Sequence, residues 1–165
     1  MCGITEPYKK INIDMTTTYQ TESIIAIKNE LLPLVIEHNR EVNFWPETPL
    51  DIDWARYGQS ELAGVYKLVT CRLDAVLIGW IGYWVGHHTR HLGMNMARED
   101  WYYLQPTYRG RGWGRELFVT GERYLKSIEV DRIVISTKLS HDHSKILAGL
   151  GYTEYERHYT KKLES

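Results

Sequence analysis

The sequence predicts an α/β fold, a mixed sheet with helices on its faces, and three observations predict it. Runs rich in Val, Ile, Tyr and Trp crowd residues 65–104, with turn residues between them. Stretches before and after that block carry apolar residues at helical spacing. Between the last aromatic run and the following helix, Arg109-Gly110-Arg111-Gly112-Trp113-Gly114 places three glycines within five residues.

Each element follows in order. Residues 9–15 alternate, with Ile11, Ile13 and Met15 on one face, and read as a first strand. From Glu22 to about Val42 the residues Ile24, Ile27, Leu31, Leu34, Val35, His38 and Val42 recur at helical spacing, and Pro33 is expected to kink or split that helix. Residues 44–49 hold two prolines and read as a loop, and residues 51–57 as a short helix closed by Gly58. Val65 to Arg72 and Val76 to Val85 read as strands joined by a turn at Leu73-Asp74-Ala75. His87 to Gly93 reads as a polar loop, and Met94 to Leu104 as a strand stopped by Gln105-Pro106. A helix begins near Arg115, with Leu117, Phe118, Gly121, Tyr124, Leu125 and Ile128 as its apolar stripe. Ile133 to Ile135 reads as a short strand, Ser140 to Ala148 as a last helix capped by Ser140, and the polar, alternating tail as a final strand.

The chain of 165 residues fits one domain. Its 20 Lys and Arg balance 21 Asp and Glu, so bulk charge argues against nucleic acid or an anionic membrane as partner. No apolar run approaches the roughly 18 residues of a transmembrane helix, which with the two distant cysteines, Cys2 and Cys71, predicts a cytoplasmic protein.

The glycine turn carries the chemistry. Glycine tolerates positive φ and adds no Cβ, so such a turn can point successive N–H groups into one concavity at a helix N-terminus, where they bind phosphate. Arg109, Arg111 and Arg115 add cationic forks suited to phosphate oxygens.

These residues resemble the GNAT-type N-acetyltransferases. Their Arg/Gln-x-x-Gly-x-Gly/Ala motif fits Arg109-x-x-Gly112-x-Gly114, the flanking Tyr102-Tyr103-Leu104-Gln105-Pro106-Thr107-Tyr108 fits their strand and Pro, and Leu150-Gly151-Tyr152 resembles their Leu-Gly-Phe. The block around Pro33, His38 and Glu41 also resembles GNAT proteins carried by phages, which would place the protein in a host cytoplasm. The resemblance implies a mostly antiparallel sheet whose fourth and fifth strands splay to admit acetyl-CoA. It implies direct acetyl transfer to a primary amine, either a small molecule or a protein lysine or N-terminus, and is compatible with a homodimer. It puts the cosubstrate on Tyr102, Tyr103, Leu104 and residues Arg109, Gly110, Arg111, Gly112, Trp113, Gly114 and Arg115, with the Leu104 N–H polarising the thioester carbonyl. The family's usual proton-donating Tyr falls at Leu147 and its Asn at Ser140, which leaves Tyr152, Ser144 or water for that role. The same vacancy admits an alternative, a degenerate fold that binds CoA or a partner protein without catalysis.

On the acceptor side, strand alternation puts Asp100 on the face of Tyr102 and Leu104, with Glu99 opposite, so Asp100 is a candidate proton relay. His38 and Glu41, at i and i+3, border the same cleft. Other readings fit worse. A dinucleotide fingerprint would need a third glycine where Arg115 stands. His87, His88, His91, His141 and His143 lack a metal-ligand spacing. The opening Met-Cys-Gly resembles class II glutamine amidotransferases, but Thr5-Glu6-Pro7 does not continue their pattern.

Overall fold

The strands meet in one sheet, in the order β1-β2-β3-β4-β5, in a computed structural model that describes residues 16–43 and 45–163. The elements are β1 (Thr17–Thr21), α1 (Lys28–Val42), α2 (Trp54–Leu62), β2 (Tyr66–Leu73), β3 (Val76–His88), β4 (His91–Leu104), α3 (Trp113–Ser127), β5 (Arg132–Val134) and α4 (Ser144–Gly149). Neighbours pair antiparallel except β4 and β5, which run parallel. Among the described residues no helix is long and apolar enough to cross a membrane.

Both faces of the sheet are covered, which explains why β2 and β3 read as nearly continuous apolar runs. Leu117, Phe118 and Leu125 of α3 pack on one face against Val69, Ile81, Tyr83, Ala97 and Leu104. On the other, Leu31, Leu34 and Val35 of α1 pack with Tyr66, Leu68, Trp80 and Tyr103. The β2–β3 turn is the expected one, with Asp74 and Ala75 both at positive φ, 48° and 70°. That is the geometry of a two-residue turn whose twist matches its strands.

Several expectations are corrected. The strand expected at residues 9–15 lies outside the described residues, and the first described strand is β1. Pro33 does not split α1, because the backbone bond it lacks would go to the Asn29 carbonyl on the exposed side, where water can replace it. Gly58 does not close α2 but lies inside it, capped at Asp53, whose side chain accepts the Arg56 N–H at 2.9 Å. The segment 87–93 is the exposed end of the β3–β4 ribbon, with His88 paired to His91. A solvated ribbon has the same polar composition as a loop. The last helix starts at Ser144 and not at Ser140, with Asp142 Oδ1 accepting the Ser144 N–H at 2.8 Å. The tail from Thr153 to Leu163 forms no strand.

Two glycines make opposite predictions. A Cβ on Gly121 of α3 would press on the Tyr83 hydroxyl, fixed within the core, whereas one on Gly58 would meet only the Ile25 side chain, at 3.2–3.3 Å. Gly121→Ala should therefore destabilise the fold, because overpacking of about 1–3 kcal/mol outweighs the roughly 0.5–1 kcal/mol gained in helix propensity. Gly58→Ala should be neutral or stabilising. Chemical denaturation of both variants checks the contrast.

Candidate active site

β5 pairs with β4 over only three positions, from Met96↔Arg132 to Arg98↔Val134. Beyond Arg98 the strands part, and β4 runs on to Leu104 with one edge open. A cavity of about 580 Å³ opens there, walled by β4, the glycine turn, α1 and the segment leading into α4.

At the mouth of this fork β4 carries one residue too many. Gly82 pairs with Trp101 and Tyr83 with Glu99, so Asp100 is the extra residue of a β-bulge. The bulge breaks the alternation on which the sequence reading rested. Asp100 does not share a face with Tyr102 and Leu104; it still lines the cleft, but its carboxyl is turned to the α2 side, where it accepts the Tyr57 hydroxyl at 2.8 Å and the Tyr66 hydroxyl at 3.3 Å. Tyr57 is stacked between Trp84 and Trp101, at 5.6 Å from each, and Trp101 Nε1 donates to Tyr66 at 2.7 Å. Glu99, expected to point away, also lines the cleft, and its Oε2 accepts the Ser136 N–H at 3.3 Å. Burial, reinforced by the nearby Asp100 charge and partly offset by the Ser136 N–H, pushes the Glu99 carboxyl up to about 7.

The glycine turn forms as the sequence predicts. Gly110 and Gly112 take φ of 76° and 83°, and Gly112 caps α3 without a side chain. Among the described residues, no acceptor takes the backbone N–H groups of residues 110–115. Gly114 is required for another reason: a Cβ there would collide with the Tyr102 hydroxyl. Arg115 lines the cleft, while Arg111 lies over the Trp113 ring at 5.6 Å, outside it. Free amides, open space at Gly110 and Gly112 and two exposed arginines fit a diphosphate.

Arg109 is turned inward. Its Nε donates to the Leu104 carbonyl at 2.7 Å and its Nη2 to Glu41 at 2.8 Å, so the guanidinium fastens α1 to the end of β4. Because Gln105 N–H bonds to the Ile78 carbonyl, Leu104 is a residue whose backbone faces away from β3. Its N–H therefore points to the open edge beside the cleft. Tyr103 faces the α1 side, donating to Glu37 at 3.0 Å.

Of the other expected residues, His38 and Glu41 line the cleft. His38 packs on Tyr103 at 5.4 Å, and burial lowers its pKa to about 4. Glu41 is engaged by Arg109 and lies 3.8 Å from His141 Nε2. Tyr152 lies away from the cleft, packed on the α3 face of the core beside Glu122, and burial raises its pKa well above the usual phenol value. Sequence reasoning missed Glu99, which alternation turned the wrong way, and weighed His143, another cleft residue, only as a metal ligand.

Residues 28–152 match the family model described as the acetyltransferase (GNAT) family. The chain belongs to that family. It is an acyltransferase, and the expectation of acetyl-CoA as the acyl donor stands with the family assignment. This acetyltransferase resembles a ribosomal-protein-alanine N-acetyltransferase from Brucella melitensis biovar Abortus 2308, with TM-score 0.70 and 13% identity over 90% of this chain and 100% of that one. It resembles an aminoglycoside N-acetyltransferase in complex with CoA at TM-score 0.68 and 16% identity, over 94% and 99% of the two chains. A predicted acetyltransferase with acetyl-CoA from Clostridium acetobutylicum gives 0.67 and 10%, over 89% and 96%. No curated protein sequence matches the chain. At these identities the solved structures establish the fold.

The raised Glu99 pKa has a thermodynamic sign. A carboxyl at about 7 in the folded chain and 4.5 when free favours folding at low pH and loses that contribution as pH rises from 4.5 through 7. Glu99→Gln should therefore raise the Tm relative to the native chain above pH 7, with the gain shrinking toward pH 4.5. Thermal unfolding of both proteins across that range checks it.

Proposed function

We propose that the protein moves the acetyl group of acetyl-CoA directly to a primary amine, with Glu99 accepting the amine's proton. One observation carries this reading: the bulge in β4 sets a carboxyl poised near pH 7 in the same cleft as a glycine turn with unclaimed amides. The turn from Gly110 to Arg115 would hold the diphosphate, and the open edge of β4 at Tyr102 and Leu104 would pair with the amides of the pantetheine arm.

An ammonium has no lone pair, so a proton must leave before attack. A carboxylate near 7 is matched to that task at neutral pH, being ionised in a large fraction yet basic enough to take the proton. Asp100, held by the Tyr57 and Tyr66 hydroxyls, lines the same cleft and presents its carboxyl to the incoming ammonium. The Leu104 N–H, aimed at the open edge, donates to the carbonyl oxygen as charge develops there. Arg109, by gripping the Leu104 carbonyl, orients that peptide.

The acceptor class follows the same chemistry. The Brucella protein is named for the alanine of a ribosomal protein and another relative for aminoglycosides, and both substrates offer a primary amine. Glu99 and Asp100 favour an acceptor that arrives as a cation.

Three measurements test the reading. With an amine panel and acetyl-CoA, kcat/KM should rise with pH to a plateau governed by a group near 7. Glu99→Gln should lower it by roughly 10²–10⁴-fold at neutral pH and recover toward native rates at high pH, where free amine is present. Unchanged height and shape in Glu99→Gln would refute the assignment. Asp100→Asn should raise KM for the amine more than it lowers kcat. Gly112→Asp, which puts a carboxylate at a left-handed φ of 83° in the diphosphate cradle, should abolish CoA binding by calorimetry in a folded protein.

A further inference from the structure

The cleft contains a primary amine of the protein's own. Lys138 lines it, and among the described residues no other lysine does. Two ties fix its place. Ser136, two residues before it, gives its N–H to Glu99 Oε2 of β4 at 3.3 Å. On the other side, Lys138 and His141 form a single antiparallel bridge, with the His141 N–H on the Lys138 carbonyl at 3.0 Å, and His141 Nε2 lies 3.8 Å from Glu41 of α1. Lys138 therefore stands between the carboxyl on β4 and the end of α1. Its charge acts on both walls: it offsets part of the burial that raises the Glu99 pKa, and it adds to the burial that lowers the His38 pKa.

Lys138 is exposed, and among the described residues it has no ion-pair partner, whereas the neighbouring Arg109 is held by Glu41 and the Leu104 carbonyl. A lysine without a fixed partner keeps the rotamer freedom of its four-carbon stem, so its Nζ samples the cleft instead of one direction. A tethered amine also counts at an effective concentration on the order of millimolar or above, while a free acceptor must be gathered from solution and lose translational freedom. A cleft for primary amines that is lined by a lysine, next to its proton acceptor, thus has a first substrate built in.

We propose that Lys138 is acetylated by the cleft it lines, its Nζ taking the acetyl group from acetyl-CoA bound to the same molecule. The inference rests on the acetyl-transfer reading above. The Lys138 ammonium first gives a proton to the Glu99 carboxylate, which frees the lone pair. Nζ then forms the N–C bond to the thioester carbonyl carbon, and the C–S bond breaks with its electron pair on sulfur. The second proton lost by Nζ ends on that sulfur, CoA leaves as the thiol, and Glu99 returns its proton to water. The product is an uncharged amide, so a cationic acceptor that follows meets Glu99 and Asp100 without a competing ammonium.

Peptide mass spectrometry after incubation with acetyl-CoA carrying a deuterated acetyl group, and no added amine, tests this. The heavy acetyl group should appear on Lys138 at a first-order rate that does not change with protein concentration, and roughly 10-fold or more faster than on the exposed Lys28 and Lys161, which are tethered to no site. Glu99→Gln should slow the modification by roughly 10²–10⁴-fold at neutral pH. An ordinary acetyl group already on Lys138 of the native chain, and absent from Glu99→Gln, counts equally in favour. Should Glu99→Gln fail to fold, Lys138→Arg, at an exposed position, decides by intact mass: the rapid uptake of one acetyl group seen in the native chain should vanish. Acetylation of Lys138 no faster than of Lys28 and Lys161, or at a rate proportional to protein concentration, would overturn the proposal. Transfer to an added amine with Lys138 left unmodified would overturn it too while the acetyl-transfer reading stands. A chain that acetylates neither Lys138 nor any added amine contradicts that reading itself.

Discussion

The extra residue in β4 is the constraint on which the site depends. Without it, alternation from Leu104 back to Ala97 would put Tyr102, Asp100 and Arg98 on one face and Tyr103, Trp101 and Glu99 on the other. With Asp100 inserted opposite the Gly82–Tyr83 step, the parity changes. Ala97 and Glu99 join the face of Tyr102 and Leu104, while Asp100 and Trp101 turn to the α2 side. Gly82 makes room for the change, since a Cβ there would collide with the Tyr66 hydroxyl and lie 2.7 Å from Trp101 Nε1. The bulge thus presents two neighbouring carboxyls to one cleft with different surroundings. Asp100 is given two phenol donors, and Glu99 is given burial and a single backbone donor at 3.3 Å. Burial with that single donor lifts the Glu99 carboxyl above the ordinary range, as a general base working near neutral pH requires.

A second constraint keeps the fork open. β5 is short enough to release β4 after Arg98, and nothing among the described elements pairs with that edge afterwards. Exposed strand edges are normally a liability. Here the edge continues into the glycine turn, and Arg109 braces the junction by joining the Leu104 carbonyl to Glu41 of α1. The most conspicuous arginine of the motif therefore works within the protein, and the cationic groups left for a phosphate are Arg111 and Arg115. The aromatic layer under Asp100, with Tyr57 between Trp84 and Trp101, does the equivalent work on the acceptor side.

Most of the fold was legible because its signals are local. Glycines needing positive φ at 110 and 112, the apolar stripe of α3 and the β2–β3 turn each follow from neighbouring residues. The glycine turn was legible for the same reason, and the resemblance carried by Arg109-x-x-Gly112-x-Gly114 agrees with the family match over residues 28–152. What escaped depends on distant partners. Alternation cannot show a bulge, because the room for it is made by Gly82 on another strand, so Glu99 was turned away although it lines the cleft together with Asp100. Tyr152 was drawn to the cleft by its nearness in sequence to α4, yet its ring settles in the core on the α3 face. The ribbon at 87–93 looked like a loop because an exposed hairpin and a loop share a composition.

On the proposed reading, the parted edge of β4 and the amides of the glycine turn form one binding surface for the acyl donor. Amide hydrogen exchange, followed residue by residue by NMR with and without desulfo-CoA, tests it most directly. Binding should protect residues 110–115 and the N–H groups of Tyr102 and Leu104, with the β1–β2 ladder on the far side of the sheet unchanged. Binding that leaves residues 110–115 unprotected, or protects another surface in their place, would contradict it.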